Sequence, residues 1–408
     1  MRVTTITRVL PTPDDRAAGL FVARRLEAMA ARCELTVLQP VPYFPVVRSL
    51  PGWAKAPTVP NSRLAAQPVP MFYVPRILKS LDSYWLRRAC QARLAALRDS
   101  NRLDILDAHF GYPDGVAVTE LAGRLGVPAV VTFRGVEQDY LEQSAIARQL
   151  AAMLKAVTGC ICVSHSLRDV AIQAGADPSR VAVIHNAIDR QMFRPGGRAV
   201  ARATLGLNVA DRWLISVGNL LSVKRHDVLL RAFAEVRAVH PTLKLAIAGG
   251  VTHEPETGPA LAALARDLGV ADYVRFLGRV PPDQIVTWLR AADLFGLASR
   301  REGCCNAILE SLATGLPVVA TDVGDNRFFI RPGENGALVP ANDVSALAAG
   351  IRDTLSRADW DRDRISAGLD VGQWDSVAEK VTDYFERCRA RFRDESRHGE
   401  SPTQQVRS

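Results

Sequence analysis

Short apolar runs alternate with longer amphipathic stretches along this chain, and the alternation predicts strands and helices in turn. Residues 2–9 form an apolar run typical of a strand, and an amphipathic helix follows from Leu20 to Ala31. The same alternation returns near Arg212, where a strand pattern leads into an amphipathic helix from Val228 to Val239. Strands that alternate with helices are typical of a parallel sheet covered by helices. The pattern therefore predicts an α/β protein.

The length and one loop-rich junction predict how the chain divides. At 408 residues the chain exceeds the size of one ordinary hydrophobic core, so two domains are expected. Pro195-Gly-Gly marks a junction between the two runs of strands and helices. We place the first domain at 1–189 and the second at 190–370, with a terminal amphipathic helix at 371–393. Residues 394–408 are polar without periodicity and are expected to be disordered.

The composition is that of a soluble globular protein, with 48% hydrophobic and 23% charged residues. No apolar run reaches the roughly 18 residues that a transmembrane helix needs, and the first strand carries an arginine, so no signal peptide is expected. The seven cysteines are odd in number and form no C-x-x-C pair, which reduced thiols in a cytoplasm explain most simply. We expect a cytoplasmic protein and leave peripheral contact with the inner face of the membrane open.

The net charge of +8 is concentrated in one segment. Residues 41–100 carry nine basic residues against two acidic ones, together with several aromatic residues. Such a mixture is typical of surfaces that bind nucleic acid, an anionic membrane or an anionic substrate. No nucleic-acid motif accompanies it, so we favour a membrane surface or a lipid-diphosphate acceptor; an ordinary solvated helix with a Pro-rich loop is the alternative. The basic residues are Arg48, Lys55, Arg63, Arg76, Lys79, Arg87, Arg88, Arg93 and Arg98.

The stretch from Ser299 to Gly324 holds the strongest candidate chemistry. Glu302 and Glu310 stand eight residues apart, and the apolar run from Asn306 to Thr314 predicts a helix that starts between them. The free N–H groups at the start of a helix form an anion site at the positive end of the helix dipole. Two carboxylates beside an anion site suit a sugar nucleotide, whose diphosphate joins two polyhydroxylated rings. For an isolated pair of glutamates, a solvated loop and a helix surface would be the ordinary explanation.

The wider pattern Glu-Gly-x-x-Asn-x-x-x-Glu-x-x-Ala-x-Gly-x-Pro-Val-Val-Ala-Thr-Asp, which begins at Glu302, resembles the donor-binding signature of retaining glycosyltransferases of family four. It departs from that signature at Cys304, Cys305 and Asp325-Asn-Arg. The resemblance covers nearly the full chain and implies the GT-B fold, in which two Rossmann-like, doubly wound parallel-sheet domains face a cleft. It also implies a terminal helix that crosses back onto the first domain.

The activity implied by the resemblance is transfer of a sugar, with retention, from a nucleotide-sugar donor to a glycan or lipid-linked glycan acceptor in polysaccharide biosynthesis. Lys224 would clamp the departing diphosphate, Glu302 would bind hydroxyls of the donor sugar, and Glu310 would bind the ribose hydroxyls. His109 would face the donor sugar from the first domain. No protein nucleophile, metal or cofactor is expected, because cationic groups neutralise the diphosphate. The other residues expected to bind the donor are Gly19, Gly218, Asn219, Arg225, Gly249, Val280, Gly303, Cys304, Cys305 and Asn306.

Asn219 departs from the implied phosphate clamp. The family usually carries an arginine there, whereas asparagine donates a hydrogen bond without a charge. Either Arg225 or another base supplies the missing charge, or the site relies on Lys224 and the start of the helix. The departure keeps two alternatives open, a non-catalytic nucleotide-sugar-binding partner of a polysaccharide assembly complex and a GT-B sugar-nucleotide epimerase. Asn186 and Asp189 are expected to hold the linker between the domains.

Overall fold

The computed structural model describes residues 1–12, 19–43, 64–73, 78–250, 254 and 256–398. The chain divides into two compact units. The first consists of Met1–Asn186 together with the segment that starts at Trp374, and the second is Ala187–Gln373. Four of the basic residues in the segment 41–100 lie outside the described residues, namely Arg48, Lys55, Arg63 and Arg76.

A parallel sheet forms the centre of the first unit. Its strands, among the described residues, are β1 (Arg2–Ile6), β2 (Glu34–Tyr43), β3 (Ala66–Phe72), β4 (Ile105–His109), β5 (Ala129–Phe133), β6 (Gly159–Cys162) and β7 (Val181–Val183). They lie in the order β3-β2-β1-β4-β5-β6-β7, and all neighbours are parallel. The strands β4, β5 and β6 are buried along their whole length, as expected for a parallel sheet covered on both faces.

The Pro-rich part of the segment 41–100 is not entirely loop, because β3 lies within it. β3 pairs in parallel with β2, with Gln39 opposite Pro68 and Val41 opposite Pro70. Proline lacks a backbone N–H and is tolerated at the edge of a sheet. β3 is the edge strand of this sheet, so its prolines do not interrupt a central ladder.

The second unit contains its own parallel sheet. Its strands, among the described residues, are β8 (Arg212–Val217), β9 (Leu243–Ala248), β10 (Val274–Gly278), β11 (Leu294–Leu297), β12 (Val318–Thr321) and β13 (Gly336–Val339). They lie in the order β10-β9-β8-β11-β12-β13 and are parallel throughout. In each unit the first strand lies inside the sheet. The next two strands in sequence are added on one side of it and the later strands on the other side, which is the Rossmann order.

Helices cover both faces of the sheet in the second unit. Trp213 and Leu214 are consecutive residues of β8, yet they belong to two different buried clusters because their side chains point to opposite faces.

The helices of the described residues, in chain order, are α1 (Leu20–Ala30), α2 (Asp82–Asp99), α3 (Val116–Leu125), α4 (Glu137–Leu141), α5 (Ser144–Ala156), α6 (His165–Gln173), α7 (Arg198–Thr204), α8 (His226–Val239), α9 (Thr257–Asp267), α10 (Pro282–Ala291), α11 (Asn306–Ala313), α12 (Asn326–Phe329), α13 (Val344–Ser356), α14 (Arg362–Ala367) and α15 (Trp374–Arg397).

The last helix, α15, is part of the first unit. The hydroxyl of Tyr384 accepts a hydrogen bond from the backbone N–H of Cys160 at 3.1 Å and donates to the backbone oxygen of Arg180 at 2.5 Å. A Cβ at Gly159 would lie 2.5 Å from Sγ of Cys388, so a larger residue there would push α15 away from β6.

The expected disorder from residue 394 is wrong for the first residues of the tail. α15 continues to Arg397 because its last turn is anchored, with Glu395 accepting a hydrogen bond from the guanidinium of Arg180 at 2.7 Å. Residues 399–408 lie outside the described residues. None of the helices in the described part of the chain combines the length and apolarity needed to span a lipid bilayer.

Candidate functional site

The candidate site of the second unit lies at the carboxyl ends of β8 and β11. These two strands are neighbours at the point where the strand order reverses, and ligands of open α/β sheets bind at that point. The loop after β8 delivers Lys224, and the loop after β11 delivers Glu302. The ammonium of Lys224 donates a hydrogen bond to Oε1 of Glu302 at 2.7 Å. The fold thus brings two predicted site residues into direct contact.

Glu302 is fixed by neighbours that the sequence analysis missed. The hydroxyl of Ser299 donates to the same oxygen, Oε1, at 2.6 Å, and the backbone oxygen of Ser299 accepts from the hydroxyl of Thr321 at 2.6 Å. Gly324 adopts a positive φ of 56°, and a Cβ there would lie 2.4 Å from the backbone oxygen of Glu302. The end of β12 therefore supports the loop that carries the carboxylate.

Lys224 stays protonated in this site. Burial lowers the pKa of its ammonium, but the attraction of the Glu302 carboxylate outweighs burial and holds the pKa above its ordinary value. The stem of Lys224 runs past Gly218, where a Cβ would lie 3.6 Å from Cε of the lysine, an ordinary contact. Gly249 is required by packing, because a Cβ at Gly249 would lie 1.8 Å from the backbone oxygen of Gly218. Two predicted glycines thus meet beside the lysine.

The start of α11 follows the Glu302 loop directly. The cap position is Cys305, whose side chain makes no capping hydrogen bond, and the first turn contains no acidic residue. Burial raises the pKa of the Cys305 thiol to about 12, so the thiol is neutral. The positive end of the helix dipole is therefore not neutralised by the cap or the first turn, which suits an anion. The helix was predicted to start here and does so, at Asn306.

Four further predicted residues lie around this loop or at the sheet edge. Glu310 lies in the second turn of α11 and is half-buried. The backbone oxygen of Gly303 faces the backbone N–H of Asp325 at 3.5 Å, and Cys304 is half-buried beside the apolar cluster of the sheet. Val280, just after β10, packs against the same cluster.

The structure places the charge of Arg225 on a carboxylate of its own. Its Nε and Nη2 donate to Oδ1 and Oδ2 of Asp227, both at 3.0 Å, and Nη1 donates to the side chain of Asn342. Arg225 also adopts a positive φ of 48° at the start of α8. Asn219 is exposed, and its backbone oxygen accepts from the N–H of Leu221 at 2.8 Å. The carboxylate of Asp227 thus already neutralises Arg225, which was the candidate to replace the arginine that the family usually carries in place of Asn219.

His226 is a buried residue next to this site that the sequence analysis did not single out. Its side chain is 2% exposed. Burial, and then the nearby ammonium of Lys224, lower the pKa of His226 to about 4, so the imidazole is neutral near pH 7. His226 therefore adds no positive charge beside Lys224 near pH 7.

The first unit has a polar cluster at the equivalent edge of its own sheet. His109 is the last residue of β4, the neighbour of β1 at the reversal of strand order, and its side chain is completely buried. Nε and Nη2 of Arg134 lie 3.1 and 2.8 Å from Nδ1 of the ring, while Nε2 lies 3.4 Å from Oδ2 of Asp107. Burial, and then the charge of Arg134, lower the pKa of His109 to about 3. His109 was predicted from the sequence as a site residue, and Arg134 was not.

Gly19 and Asn186 are two further residues of the first unit to which the sequence assigned a role. Gly19 precedes α1 with a positive φ of 63°, and a Cβ there would lie 2.6 Å from the backbone oxygen of Val9. The close approach expected of this glycine is thus to the chain itself. Asn186, expected to hold the linker, accepts a hydrogen bond from Nη1 of Arg134 at 3.1 Å. Oδ1 of Asp189 accepts from the N–H groups of Gln191 and Met192 at 3.0 and 3.1 Å, which shapes the linker locally.

Two protein-family models match this chain. Residues 18–191 match the model described as Glycosyltransferase Family 4, and residues 198–368 match the model described as Glycosyl transferases group 1. Among the similar curated proteins, D-inositol 3-phosphate glycosyltransferase of Acidothermus cellulolyticus is 32% identical over 316 residues, which cover 72% of this chain and 69% of that protein. The protein of the same name from Frankia alni is 32% identical over 311 residues, covering 71% of this chain and 75% of its own length.

Solved structures of similar fold include sucrose-phosphate synthase from Thermosynechococcus elongatus, with a TM-score of 0.77, 19% identity and coverage of 96% of this chain and 100% of that one. HepE from Anabaena, in complex with UDP and glucose, has a TM-score of 0.74, 16% identity and coverage of 95% and 100%. Together with the two parallel sheets, these matches confirm the predicted GT-B fold class.

Proposed function

This chain belongs to glycosyltransferase family 4, and we propose that it transfers a sugar with retention from a nucleotide-diphosphate sugar to a glycan or lipid-linked glycan in cell-surface polysaccharide synthesis. Glycosyl transfer follows from the family itself. The donor class, the stereochemistry and the acceptor are the proposed parts.

The contact between Lys224 and Glu302, beside the start of α11, carries the proposal. A nucleotide-diphosphate sugar presents hydroxyls next to a diphosphate, and this site presents a carboxylate next to an ammonium and a helix start. The ammonium and the helix start stabilise the charge that grows on the departing diphosphate. The carboxylate of Glu302 accepts hydrogen bonds from the sugar hydroxyls, and Glu310 accepts those of the ribose. HepE was solved with UDP and with UDP-glucose, which supports a nucleotide-diphosphate sugar as the donor class.

The reaction proceeds without a protein nucleophile. The acceptor hydroxyl approaches the anomeric carbon from the face that the diphosphate leaves, the bond to the diphosphate breaks, and the new glycosidic bond forms on that face. The proton of the acceptor hydroxyl passes to an oxygen of the departing phosphate. Positive charge held in place by the protein lowers the barrier because it is already oriented before the reaction.

We place the acceptor near a membrane surface because of α2 and the turn before it. Leu78, Leu81 and Tyr84 are exposed by 60%, 40% and 42%, and Lys79 and Arg88 are exposed beside them. Apolar and basic side chains on one exposed surface suit the headgroup region of an anionic bilayer. Arg87 contributes less, because it forms an ion pair with Glu120 at 2.8 Å.

A phosphorylated cyclic polyol is a second candidate acceptor. Three of the similar curated proteins, each matched over more than two thirds of its own length, are named D-inositol 3-phosphate glycosyltransferase. Such an acceptor is water-soluble and needs no membrane surface. The two candidates therefore separate in an assay that offers each acceptor in turn.

The experiment screens UDP, GDP and ADP for thermal stabilisation, because a ligand of the folded protein raises its melting temperature. The matching sugar donors are then offered with a lipid-diphosphate glycan, with inositol 3-phosphate and without acceptor. Release of the nucleoside diphosphate together with a product that keeps the anomeric configuration of the donor is the expected result, and the isosteric Glu302→Gln variant serves as a control for the site. Binding without transfer would favour the non-catalytic partner, and a sugar nucleotide altered without any acceptor would favour the epimerase.

A further inference from the structure

We propose that Arg134 is a positioning residue for His109, whose imidazole it holds as the neutral tautomer with the proton on Nε2. The functional part of this inference rests on the proposed sugar transfer, to which His109 is expected to contribute. The structural part concerns the ring itself and can be measured without any turnover.

The tautomer follows from the chemistry of the two side chains. A guanidinium has only N–H donors and no acceptor, so the ring nitrogen that it contacts must offer a lone pair. Both Nε and Nη2 of Arg134 lie within hydrogen-bonding distance of Nδ1 of His109, at 3.1 and 2.8 Å. Nδ1 is therefore unprotonated. The proton of the neutral ring is then on Nε2, which lies 3.4 Å from Oδ2 of Asp107.

Arg134 is itself held from several directions. Its Nη1 donates to Oδ1 of Asn186 at 3.1 Å, its backbone N–H donates to Oε2 of Glu137 at 3.0 Å, and its guanidinium lies 4.9 Å from the centre of the Phe21 ring. Glu137 is completely buried and also accepts from the backbone N–H of Gly111 at 2.9 Å. One carboxylate thus joins the chain after β4, which carries His109, to the chain after β5, which carries Arg134. The relative position of the two side chains is fixed by the backbone as well as by their direct contact.

The charges around the ring come from three packed elements. Arg134 follows β5, Asp107 lies on β4, and Arg25 on α1 has Nη2 at 3.9 Å from Oδ1 of Asp107. Burial and the two arginines disfavour a charged imidazole, and Asp107 favours it. Without Arg134, the carboxylate of Asp107 would remain as the nearest charge. Protonation of His109 would then occur at a higher pH than in wild type, while burial, the larger cause of the lowered pKa, remains.

This arrangement serves the proposed reaction because the ring cannot gain a charge in the working pH range. A histidine that alternated between neutral and charged forms would change the field at the sheet edge with each change in pH. Burial and the charge of Arg134 together remove that variation, and the contact with Arg134 fixes the orientation of the ring.

The direct test is NMR of the full-length protein with ¹⁵N-labelled histidine, in wild type and in Arg134→Met. In wild type we expect His109 to show a protonated Nε2 and an unprotonated Nδ1 from pH 5 to pH 8, with no titration. In Arg134→Met we expect Nδ1 to lose its purely unprotonated signature, because this donor no longer faces it, and the ring to protonate at a higher pH than in wild type. Arg134→Lys keeps a charged donor and should restore the wild-type signature. Arg180→Met removes another half-buried arginine of the same unit, bound to Glu395 instead of His109, and should leave the signal unchanged.

The kinetic test is the pH profile of kcat/KM with the nucleotide sugar that the thermal-stabilisation screen selects. In Arg134→Met the acid limb of kcat/KM should move to a higher pH than in wild type, with kcat/KM falling about tenfold per pH unit along it, and the additional change His109→Asn should remove that limb. A wild-type ring protonated on Nδ1, or one that titrates near pH 6.5, would overturn the inference even if Arg134→Met did not fold. So would an Arg134→Met ring that keeps the wild-type signature. A protein that transfers no sugar but shows the expected tautomer would contradict the proposed function alone.

Discussion

The ammonium of Lys224 lies 2.7 Å from Oε1 of Glu302, although the two side chains are expected to bind different parts of the donor. A diphosphate that binds Lys224 must compete with this carboxylate, and a sugar hydroxyl that binds Glu302 weakens the competition. A complete sugar nucleotide satisfies both groups at once, whereas a free nucleoside diphosphate satisfies only the lysine. This coupling leads to the first prediction.

Glu302→Gln should bind a free nucleoside diphosphate more tightly than wild type, by about threefold to tenfold, because the ion pair that competes for Lys224 contributes on the order of 1 kcal/mol. The same variant should transfer sugar much more slowly. Isothermal titration with UDP, GDP or ADP, whichever stabilises the wild type, measures the affinity. Weaker binding of the free diphosphate would contradict competition between Glu302 and the phosphate.

Lys224→Ala should lower kcat by about 10² to 10³, because in the proposed reaction the ammonium stabilises charge that develops on the departing diphosphate. Arg225→Ala is the matched control, since that guanidinium is bound to Asp227 and should affect kcat far less. Steady-state kinetics with a saturating donor distinguishes the two variants. A near-normal kcat in Lys224→Ala would assign the diphosphate to other groups.

Glu310→Ala should raise KM for the donor and leave kcat nearly unchanged. Hydrogen bonds to the ribose hydroxyls are equally strong in the ground state and the transition state, so their loss weakens binding without raising the chemical barrier. Glu310→Gln keeps the length of the side chain and should lie between wild type and Glu310→Ala. The role assigned to Glu310 fails if kcat falls while KM stays constant.

Acidification should destabilise both units through their buried histidines. The pKa values of His109 and His226 are lowered to about 3 and about 4, whereas an unfolded histidine titrates near 6.5. Between these values the unfolded chain binds more protons than the folded chain, so the free energy of unfolding falls as the pH falls. Each histidine contributes up to about 1.4 kcal/mol per pH unit below pH 6.5. Denaturant unfolding at pH 7 and pH 5 measures this slope.

His226→Gln should reduce that slope for the second unit and leave the slope of the first unit unchanged. His240→Gln, at the C-terminal end of the same helix, is the matched control for the loss of a histidine that is only half-buried. A slope that does not respond to His226→Gln would show that other groups account for the acid sensitivity of the second unit.

Binding to vesicles should depend on the exposed side chains around the start of α2. Each basic residue near an anionic bilayer contributes roughly 1 kcal/mol, and this attraction weakens with salt because exposed charges are screened beyond ~8 Å. Co-sedimentation with anionic and neutral vesicles across a salt series should show binding to anionic vesicles only. Lys79→Glu/Arg88→Glu should lose most of it. Arg124→Glu/Arg148→Glu changes two exposed arginines elsewhere in the first unit and should bind as wild type does; equal behaviour of the two double variants would rule this surface out.

The fold was predictable because periodicity is local. The apolar runs that became β4, β5 and β12 and the helix that starts at Asn306 are visible in a few consecutive residues. The strand β3 was missed because its prolines argue against a strand unless its place at the sheet edge is known.

The candidate site was predictable in part. Lys224 and Glu302 stand in recognisable patterns, but Ser299, His226 and Arg134 do not. Arg134 matters through His109, which is 25 residues away in sequence and on another strand. His226 and Ser299 are close in sequence to the predicted residues, yet their burial and their contacts depend on where the neighbouring strands end. Such contacts arise from packing between elements. The spacing of residue types along the sequence does not reveal them.

The hydroxyl of Tyr384 on α15 caps backbone groups of Cys160 and Arg180, so the unit that begins the chain also needs the residues near its end. A ribosome makes the entire second unit before α15 exists. The second unit, although later in sequence, is thus the first that has all its residues and can fold to completion during synthesis. Until α15 emerges, Gly159 lacks its packing against Cys388, and the backbone groups of Cys160 and Arg180 lack the hydroxyl of Tyr384, so the first unit completes its packing only after the second unit has been made.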